Sequence, residues 1–590
     1  MAVTAAAGVL MHYSIARHFP VIACATLLAC ACSPQPPPPA ASGPPTAAAA
    51  APMPAHAPTP GPTLADWARG AQLFDDLGGY SRKITTGSAA AQAWFDQGLR
   101  LIYAFNHDEA TRAFAQAVAI DPTCALCYWG AAEALGPNYN MPAMTERWAV
   151  LWQSVEAARS NAATATPVEQ ALIAALGKRY RGPDPVAAEK MQPFNDAYAN
   201  AMRDVAKQFP DDDDVQVFYA EAMMTANPWK LWSVDGNAAP GTAEIVAALE
   251  RVLARNSQHP GANHYYIHAV EASPHPERGV AAAERLPGLL PGAGHTVHMP
   301  AHIFQRLGRY ADAGAANRAA IEVDLKYLDK AKPPEWTYYG GMYLGHNYQF
   351  LGYAAAMQGR SAEALQATRE MRAHIPDAVL HMGMGLDWYA AEPYFAMERF
   401  GRWNELLAEA APDPALFGLS AAYRYARTIA FAATGKVDEA KSEKAKLDAI
   451  AAATPADAPA GLNVAKDLMS VAALVASARI AIAQGQHEAG IVMLREAVAK
   501  EDQLAYDEPA DWFVTVRHLL GAELLAAGKA ADAEAVYRDD LQRHPANGWA
   551  LFGLAKSLRA QEKGAAAAAV EAQFAAAWKD ADVTLTASAF

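Results

Sequence analysis

A chain of 590 residues is long enough for several domains or for one long repeat array. It carries 48 Lys and Arg against 62 Asp and Glu, which gives a formal net charge of -14 at pH 7. This acidic balance argues against general nucleic-acid binding, because that function needs a basic surface.

The N-terminal segment has the features of an export signal. A short region that contains Arg17 precedes the apolar run FPVIACATLLAC, which is too short to span a bilayer comfortably. The run ends in LLAC, which resembles the lipobox of bacterial lipoproteins, and this resemblance implies that Cys30 is the lipid-bearing first residue of the mature chain. The predicted signal segment covers residues 1–29 of the given sequence, and Met11 is a second candidate for its start. An ordinary cleaved signal with incidental cysteines is the alternative.

A Pro- and Ala-rich linker follows over residues 30–64 and includes SPQPPPPAASGPP. Such a segment cannot bury a core and is expected to be an extended, disordered tether. The lipoprotein resemblance also implies the outer membrane, since Ala31 rather than Asp follows Cys30. We therefore predict a lipid-anchored protein of the cell envelope, facing the periplasm.

The remainder of the chain predicts an all-α fold, because Ala- and Leu-rich segments with a helical period are separated by Gly and Pro. Residues 91–122 resemble a tetratricopeptide repeat (TPR), whose consensus spacing is matched by Trp94, Gly98, Ala110, Phe114, Ala117 and Pro122. A second match near the other end of the chain comprises Gly521, Ala533, Tyr537 and Pro545. The resemblance implies a TPR-like α-solenoid, a superhelix of helix–turn–helix units with a concave groove.

The repeats divide into three predicted regions. These are N-terminal TPR-like repeats over 65–240, central degenerate repeats over 241–410, and C-terminal repeats over 411–590. The concave groove of such a fold is expected to bind a protein or peptide partner.

Histidines are concentrated in the central region. Seven of the 17 histidines lie between His259 and His302, within NHYYIHAVEASPHPERG, GHTVHMPAHIFQ and the residues before them. The TPR register implies that the groove-facing positions of three consecutive helices carry His264, His268, Glu271, His295, His298, His302 and His346. The two motifs are similar to a signature of uncharacterised bacterial TPR proteins, which implies no reaction.

Helix geometry supports part of this placement independently. His264, His268 and Glu271 are spaced i, i+4, i+7 and so share one helix face. His298 and His302 also have the i, i+4 spacing at which two imidazoles can chelate one ion. Pro300 lies between them and disfavours a helix interior, so the directions of the preceding histidines stay open.

Imidazoles with one carboxylate suit a transition metal ion such as zinc, copper, iron or nickel, whereas calcium and magnesium prefer more oxygen ligands. We therefore predict a ligand-binding TPR lipoprotein with a metal held by the central histidines. Two alternatives stay open: a metal-free scaffold for a protein or peptide partner, and a metalloenzyme that uses the same residues.

Cys124 and Cys127 form a CxxC pair with three interpretations: two core-packing cysteines, a redox-active dithiol or a local disulfide. No histidine follows the pair, so it is not a haem-attachment site. The sequence contains no Walker loop, G-x-S-x-G or H-E-x-x-H motif, which disfavours an ATPase or a serine hydrolase.

Overall fold

Helices account for nearly all of the regular structure in a computed structural model that describes residues 62–333, 337–382 and 385–590. The predicted signal segment, Cys30 and the linker up to residue 61 lie outside the described residues.

The N-terminal third comprises α1 Leu64–Ala68, α2 Ala89–Tyr103, α3 His107–Ile120, α4 Ala125–Leu135, α5 Trp148–Asn161, α6 Pro167–Arg179, α7 Gln192–Gln208 and α8 Asp213–Thr225. The central part comprises α9 Thr242–Arg255, α10 Pro260–Glu271, α11 Val280–Leu289, α12 Gly294–His298, α13 Pro300–Arg306, α14 Tyr310–Ala331, α15 Leu344–Met357, α16 Ser361–His374, α17 Asp377–Leu380, α18 Leu386–Tyr389, α19 Glu392–Arg399 and α20 Trp403–Ala408. The C-terminal part comprises α21 Phe417–Ala433, α22 Val437–Ala453, α23 Ala465–Ala483, α24 His487–Glu501, α25 Val516–Ala526, α26 Ala530–Arg543, α27 Gly548–Ala560 and α28 Gly564–Ala577.

Short elements connect some of these helices. The 3₁₀ turns are Thr145–Arg147, Ala162–Thr164, Ala188–Lys190 and Pro276–Gly279, and a π-helical turn covers Tyr339–Tyr343. The two short strands β1 Pro459–Ala460 and β2 Asn463–Val464 pair antiparallel, with Pro459 opposite Val464. The prediction of an all-α, TPR-like helical-repeat fold is confirmed by this architecture.

Small residues allow the helices of the first repeat to approach closely, as the sequence pattern predicts. A Cβ atom added at Gly98 in α2 would lie 2.7 Å from the Phe114 ring of α3. A Cβ added at Gly130 in α4 would lie 2.5 Å from the same ring. Phe114 is therefore held between two glycines from consecutive units, and its ring fills the space that they leave.

The C-terminal repeats use the same arrangement. Added Cβ atoms at Gly521 in α25 and Gly553 in α27 would lie 2.3 Å and 2.1 Å from the Tyr537 ring of α26. Pro545 follows the end of α26, where a proline cannot continue the helix. Each unit thus buries its apolar face against its neighbours, as expected of a repeat array.

Two features of the central region position the histidines. The His259 side chain caps α10 by accepting a hydrogen bond from the Ala262 backbone N–H at 3.2 Å, and Pro260 occupies the first turn. Pro300 is likewise tolerated because it begins α13 rather than interrupting a longer helix. Met299, between α12 and α13, is right-handed helical, so the chain continues almost without a break from one helix to the next.

The C-terminal repeats pack back onto the central ones. Trp549 Nε1 in α27 donates to the Ala356 carbonyl of α15 at 2.8 Å. Asp582 accepts from the Ser361 backbone N–H at the start of α16 at 2.7 Å. These contacts bring the loop between α24 and α25, which carries Glu508, over the central helices.

The chain from Pro60 to Phe590 forms one compact unit. The predicted division of the repeats into three regions stays a prediction. Within the described residues, no helix combines the length and apolar character that crossing a membrane requires.

Candidate metal centre

Six imidazoles and one carboxylate form a cluster in the interior of the central repeats. The structure brings together all seven residues that the repeat register selected, namely His264, His268, Glu271, His295, His298, His302 and His346. His264 and His298 are 0% exposed, and His268, His295 and His302 are 1% exposed. His346 is half-buried.

The histidines divide into two groups of three. In the first triad (His264, His268, His295) and in the second triad (His298, His302, His346), each residue offers one ligand atom, and those atoms lie within 4.8 Å of one another. A third group of the same tightness joins His268, Glu271 and His302 across the two triads.

Hydrogen bonds define the tautomers of most of these rings. His264 Nδ1 donates to the Tyr103 carbonyl at 2.7 Å, since a carbonyl oxygen can only accept. His298 Nδ1 donates to Asn317 Oδ1 at 2.7 Å, and the Asn317 amide nitrogen is itself committed to the Ala313 carbonyl. In both rings Nε2 is therefore the nitrogen that faces the cluster.

Glu271 holds one ring from each triad. His268 Nδ1 donates to Glu271 Oε1 at 2.8 Å, and His302 Nδ1 donates to Glu271 Oε2. His346 follows the same pattern, with Nδ1 3.0 Å from Gln349 Oε1. Five of the six histidines thus bind an oxygen acceptor through Nδ1, which leaves Nε2 directed at the cluster.

The inward nitrogens approach one another closely. His264 Nε2 lies 3.1 Å from His295 Nε2, and His298 Nε2 lies 2.8 Å from His302 Nε2. Around an ion with ~2.0 Å bonds to tetrahedral nitrogen ligands, two nitrogens would lie about 3.3 Å apart. Both pairs would therefore need to separate by only a few tenths of an ångström to chelate an ion.

Two fully buried ring nitrogens in the cluster lack a hydrogen-bond partner among the described residues. They are His268 Nε2 and His295 Nδ1, and both are buried. A buried polar atom without a partner costs about 1–3 kcal/mol, so the arrangement is not explained by stability.

Burial holds most of these imidazoles neutral. It lowers the pKa of His264, His295 and His298 well below the usual 6.5, with the neighbouring imidazoles adding to the effect. Burial lowers the pKa of His346 to about 3 in the same way. Neutral imidazoles keep the lone pair that a metal ion requires.

His302 is the exception. Burial alone would lower its pKa, but the Glu271 and Glu508 carboxylates outweigh that effect and raise the pKa to about 10. Burial also raises the pKa of Glu271, yet His302 and His268 outweigh it and hold the value at about 2. In the metal-free chain, His302 Nε2–H therefore donates to His298 Nε2, and a metal cation at that place would displace the proton.

Glu508 approaches the cluster from the C-terminal repeats. Its Oε2 lies 3.1 Å from His302 Nδ1, but the proton on that nitrogen is donated to Glu271. Neither oxygen of Glu508 has a hydrogen-bond partner among the described residues, although the side chain is nearly fully buried. Burial raises the pKa of Glu508 to about 7, despite the opposing effect of His302.

One phenylalanine packs against each triad. The Phe105 ring centroid lies 4.5 Å from His264, 5.9 Å from His268 and 5.6 Å from His295. The Phe350 centroid lies 4.8 Å from both His298 and His302 and 5.0 Å from His346, completing the same arrangement.

The backbone of Phe105 is left-handed, with φ at 54°. It occupies the turn between α2 and α3, at the place where several other hairpins use glycines such as Gly308 and Gly359, both at φ 72°, and the α27–α28 hairpin uses Glu562. A non-glycine residue in this conformation costs on the order of 1 kcal/mol. The turn places the Phe105 ring against the first triad.

Two cavities border the cluster at Glu508. One of about 430 Å³ is lined mainly by apolar and aromatic side chains and includes His346, Tyr343 and Glu508. The other, also of about 430 Å³, is lined by polar and apolar side chains in similar measure and includes Arg306 and Glu508. A small molecule in the first cavity would lie beside the second triad.

Most of the histidines at the predicted groove-facing positions are buried, because side chains from distant parts of the chain cover them. Tyr139 and Trp229 pack on His268, with ring centroids 5.2 Å and 5.8 Å away. Phe105 and Glu508 cover the cluster from two further directions.

Sequence reasoning missed the residues that surround the ligand set, namely Tyr103, Phe105, Asn317, Gln349, Phe350 and Glu508. One signal was present: the segment between α24 and α25 contains three carboxylates within DEPAD. Away from the cluster, Cys124 and Cys127 are joined in a disulfide, which corresponds to one of their three interpretations.

No protein-family model matches the chain, and no curated protein matches it. Among solved structures, the human IFIT1 dimer with m7Gppp-AAAA is similar at 9% identity over 87% of this chain and 94% of that chain, with a TM-score of 0.31. The APC/C hetero-tetramer Cut9-Hcn1 is similar at 11% identity over 82% of this chain and 76% of that chain, with a TM-score of 0.30. Naa15/Naa10 bound to HypK-THB is similar at 12% identity over 83% and 70%, with a TM-score of 0.22. Scores this low carry no argument about function, so the helical-repeat assignment rests on the helix packing described above.

Proposed function

We propose that this protein is a helical-repeat protein that binds a transition metal through its buried histidine cluster. The observation that carries the proposal is the common orientation of the rings: Nδ1 binds a fixed oxygen acceptor and Nε2 faces its neighbours. Metal-binding histidines typically donate their second ring nitrogen to a carboxylate, carbonyl or similar acceptor, which orients the ring.

The ligand set favours zinc, copper, iron or nickel. Neutral imidazoles suit these ions, while calcium and magnesium require shells made mainly of oxygen. Glu271 is the one carboxylate in the three groups of ligand atoms described above. Both of its oxygens accept hydrogen bonds from imidazole Nδ1 groups. It therefore acts as the partner that orients the rings.

The test is elemental analysis of the full-length chain, purified without a polyhistidine tag, before and after chelator treatment and addition of zinc, copper or iron. We expect a near-stoichiometric transition metal in the wild type and its loss in the double variant His264→Ala, His302→Ala. His275→Ala is the control, because that histidine is exposed and outside the cluster. A wild-type chain that holds no metal and takes up none of the three would refute the proposal and favour a metal-free scaffold for a protein or peptide.

A metal-dependent enzyme is the second candidate. It is supported by the unpartnered oxygens of Glu508, which border both His302 and the apolar cavity. A carboxylate in that place could accept a proton from a metal-bound water. We expect the metal-loaded chain to hydrolyse an activated ester probe, and Glu508→Gln to keep the metal while losing turnover. Equal turnover in the two proteins would exclude this role for Glu508.

The proposal also includes the cellular location, for which the segment before residue 62 is the support. A lipid on Cys30 would tether the repeats to the envelope, with residues 31–61 as the linker. The metal site and any partner surface would then function outside the cytoplasm.

A further inference from the structure

We propose that the cluster is a dinuclear centre, with one transition metal ion held by the first triad and a second ion by the second triad. This inference rests on the proposed metal binding and specifies how many ions the six histidines take.

The spacing of the ligand atoms limits what one ion can reach. Among the described residues, the groups of ligand atoms within 4.8 Å of one another have three members each. Four tetrahedral nitrogens at ~2.0 Å from an ion would all lie about 3.3 Å apart, and six octahedral ones at most about 4.0 Å apart. One ion therefore cannot bind four or more nitrogens drawn from both triads unless the rings move.

Each triad is built in the same way from the sequence. A pair at i, i+4 supplies two rings, His264 with His268 on α10 and His298 with His302 across α12 and α13. A third ring comes from a later helix, His295 for the first triad and His346 for the second. Three nitrogen ligands can hold one ion and leave a coordination position open.

The surroundings of the two triads also correspond. Phe105 contacts all three rings of the first triad, and Phe350 contacts all three rings of the second. Each set of imidazoles thus has its own apolar wall, which excludes water from that side of the ligands.

The two triads face each other and are joined by one carboxylate. Ring centroids lie 5.4 Å apart for His268 and His302 and 5.7 Å apart for His295 and His298. Glu271 fixes this juxtaposition, because one oxygen accepts from His268 and the other from His302. We infer that Glu271 is a positioning residue for both ions. The open coordination positions would accept a small oxygen ligand, such as water or hydroxide, shared by the two metals.

Metal stoichiometry of the full-length wild-type chain is the primary test. The metal-free protein is titrated separately with copper(II) and with zinc in the presence of a weak competing chelator, and X-ray absorption then probes for a metal–metal distance. We expect two ions per chain and a metal neighbour at ~3.5–4 Å. One ion per chain would overturn the dinuclear proposal while leaving the proposed metal binding intact, and no ion would overturn both.

Variants test each triad separately. We expect His264→Ala, His295→Ala and His298→Ala, His346→Ala each to retain one ion per chain. His107→Ala is the matched control, because His107 is buried beside Phe105 but outside both triads, and it should retain two ions. Loss of all metal from both folded double variants would overturn the proposal. If either variant does not fold, the wild-type stoichiometry and metal–metal distance decide.

Glu271→Gln separates the dinuclear centre from a single ion bound by His268, Glu271 and His302. A positioning role predicts two ions with affinity about 10- to 100-fold weaker, the effect typical of groups that orient metal ligands. Complete loss of metal from the folded Glu271→Gln variant would instead assign the ion to that mixed group and overturn the dinuclear arrangement.

Discussion

At the scale of single residues, five of the six cluster rings donate Nδ1–H to a hydrogen-bond acceptor, and these acceptors matter for metal binding as well as the histidines themselves. His298 has Asn317 as its acceptor, and Asn317 is in turn fixed by donating to the Ala313 carbonyl at 2.8 Å. His264 uses a backbone carbonyl, which no side-chain substitution removes. These partners determine the tautomer and fix the orientation of the ring plane. They therefore affect metal affinity without contacting an ion.

Asn317→Leu should therefore weaken metal binding by about 10- to 100-fold, because His298 loses the acceptor that keeps its proton on Nδ1. Asn317→Asp retains an acceptor oxygen at the same place and is the matched control. Competition with a chromogenic chelator measures both affinities. Unchanged affinity in the folded Asn317→Leu variant would show that the Asn317 hydrogen bond has no orienting role.

A second residue-scale prediction concerns pH and a carboxyl remote from the cluster. Burial raises the pKa of Glu398 from 4.5 to about 7, and the hydrogen bond from Tyr425 only partly opposes it. Below pH 4.5 the group is protonated in both the folded and the unfolded state. Between pH 4.5 and 7 the unfolded chain ionises first, so folding loses up to about 3 kcal/mol as the pH rises.

Glu398→Gln removes this ionisation. Its stability relative to the wild type should improve steadily from pH 4.5 to pH 7 and then level off. Denaturant unfolding at several pH values measures the difference, with the exposed Glu439→Gln as control. A difference between wild type and Glu398→Gln that does not change with pH would contradict the assignment.

At the scale of elements, helix hairpins combine a general rule with local exceptions. The general rule is the close approach of small residues to an aromatic ring, as for Gly98 against Phe114. One local departure is the turn after α2, where Phe105 takes the left-handed place that glycine takes in several other hairpins, as Glu562 does between α27 and α28. The close approach stabilises the repeat, whereas the left-handed turn directs the Phe105 ring at the histidines.

Gly98→Ala should destabilise the chain by about 1–3 kcal/mol, because its Cβ would lie 2.7 Å from the Phe114 ring. Gly564→Ala is the control: it also lies in a helix, but its nearest neighbour would be 3.8 Å away. That substitution should be neutral or stabilising, since alanine favours a helix. The cost of Gly98→Ala should shrink in a Phe114→Leu background, and an equal cost in both backgrounds would contradict a steric cause.

At the scale of the whole molecule, the C-terminal repeats pack back onto the central ones and help to bury the cluster. Trp549 and Asp582 join the last repeats to α15 and α16, and Glu508 reaches His302 from the same region. A repeat array in which each unit touched only its neighbours would leave the histidines on a groove surface. Burial keeps most of these imidazoles neutral and determines which cavities reach them.

The predicted lipid anchor is also a property of the whole molecule. Cys30→Ser should move the full-length protein from the membrane fraction to the soluble fraction of a bacterial host, because the lipid would have no attachment site. Cys32→Ser is the matched control, since it removes a neighbouring cysteine and should leave the distribution unchanged. Mass spectrometry of the N-terminal peptide would identify the lipid. Equal membrane association of the two variants would contradict the lipobox assignment.

The sequence by itself determined the helical-repeat class and the members of the histidine cluster. Both depend on short-range periodicity: the TPR spacing places Gly98 against Phe114, and the i, i+4 spacing pairs His264 with His268. Pro300 left the directions of His295 and His298 open until the structure showed that it begins a helix.

Only the tertiary structure decided that the cluster is buried, that it divides into two triads, and that Glu508 borders it. Glu508 lies more than 200 residues beyond His302 in the sequence, and its approach depends on how many successive hairpins pack and turn. Such long-range closure is the sum of small rotations between neighbouring units, and no local pattern of residues encodes that sum.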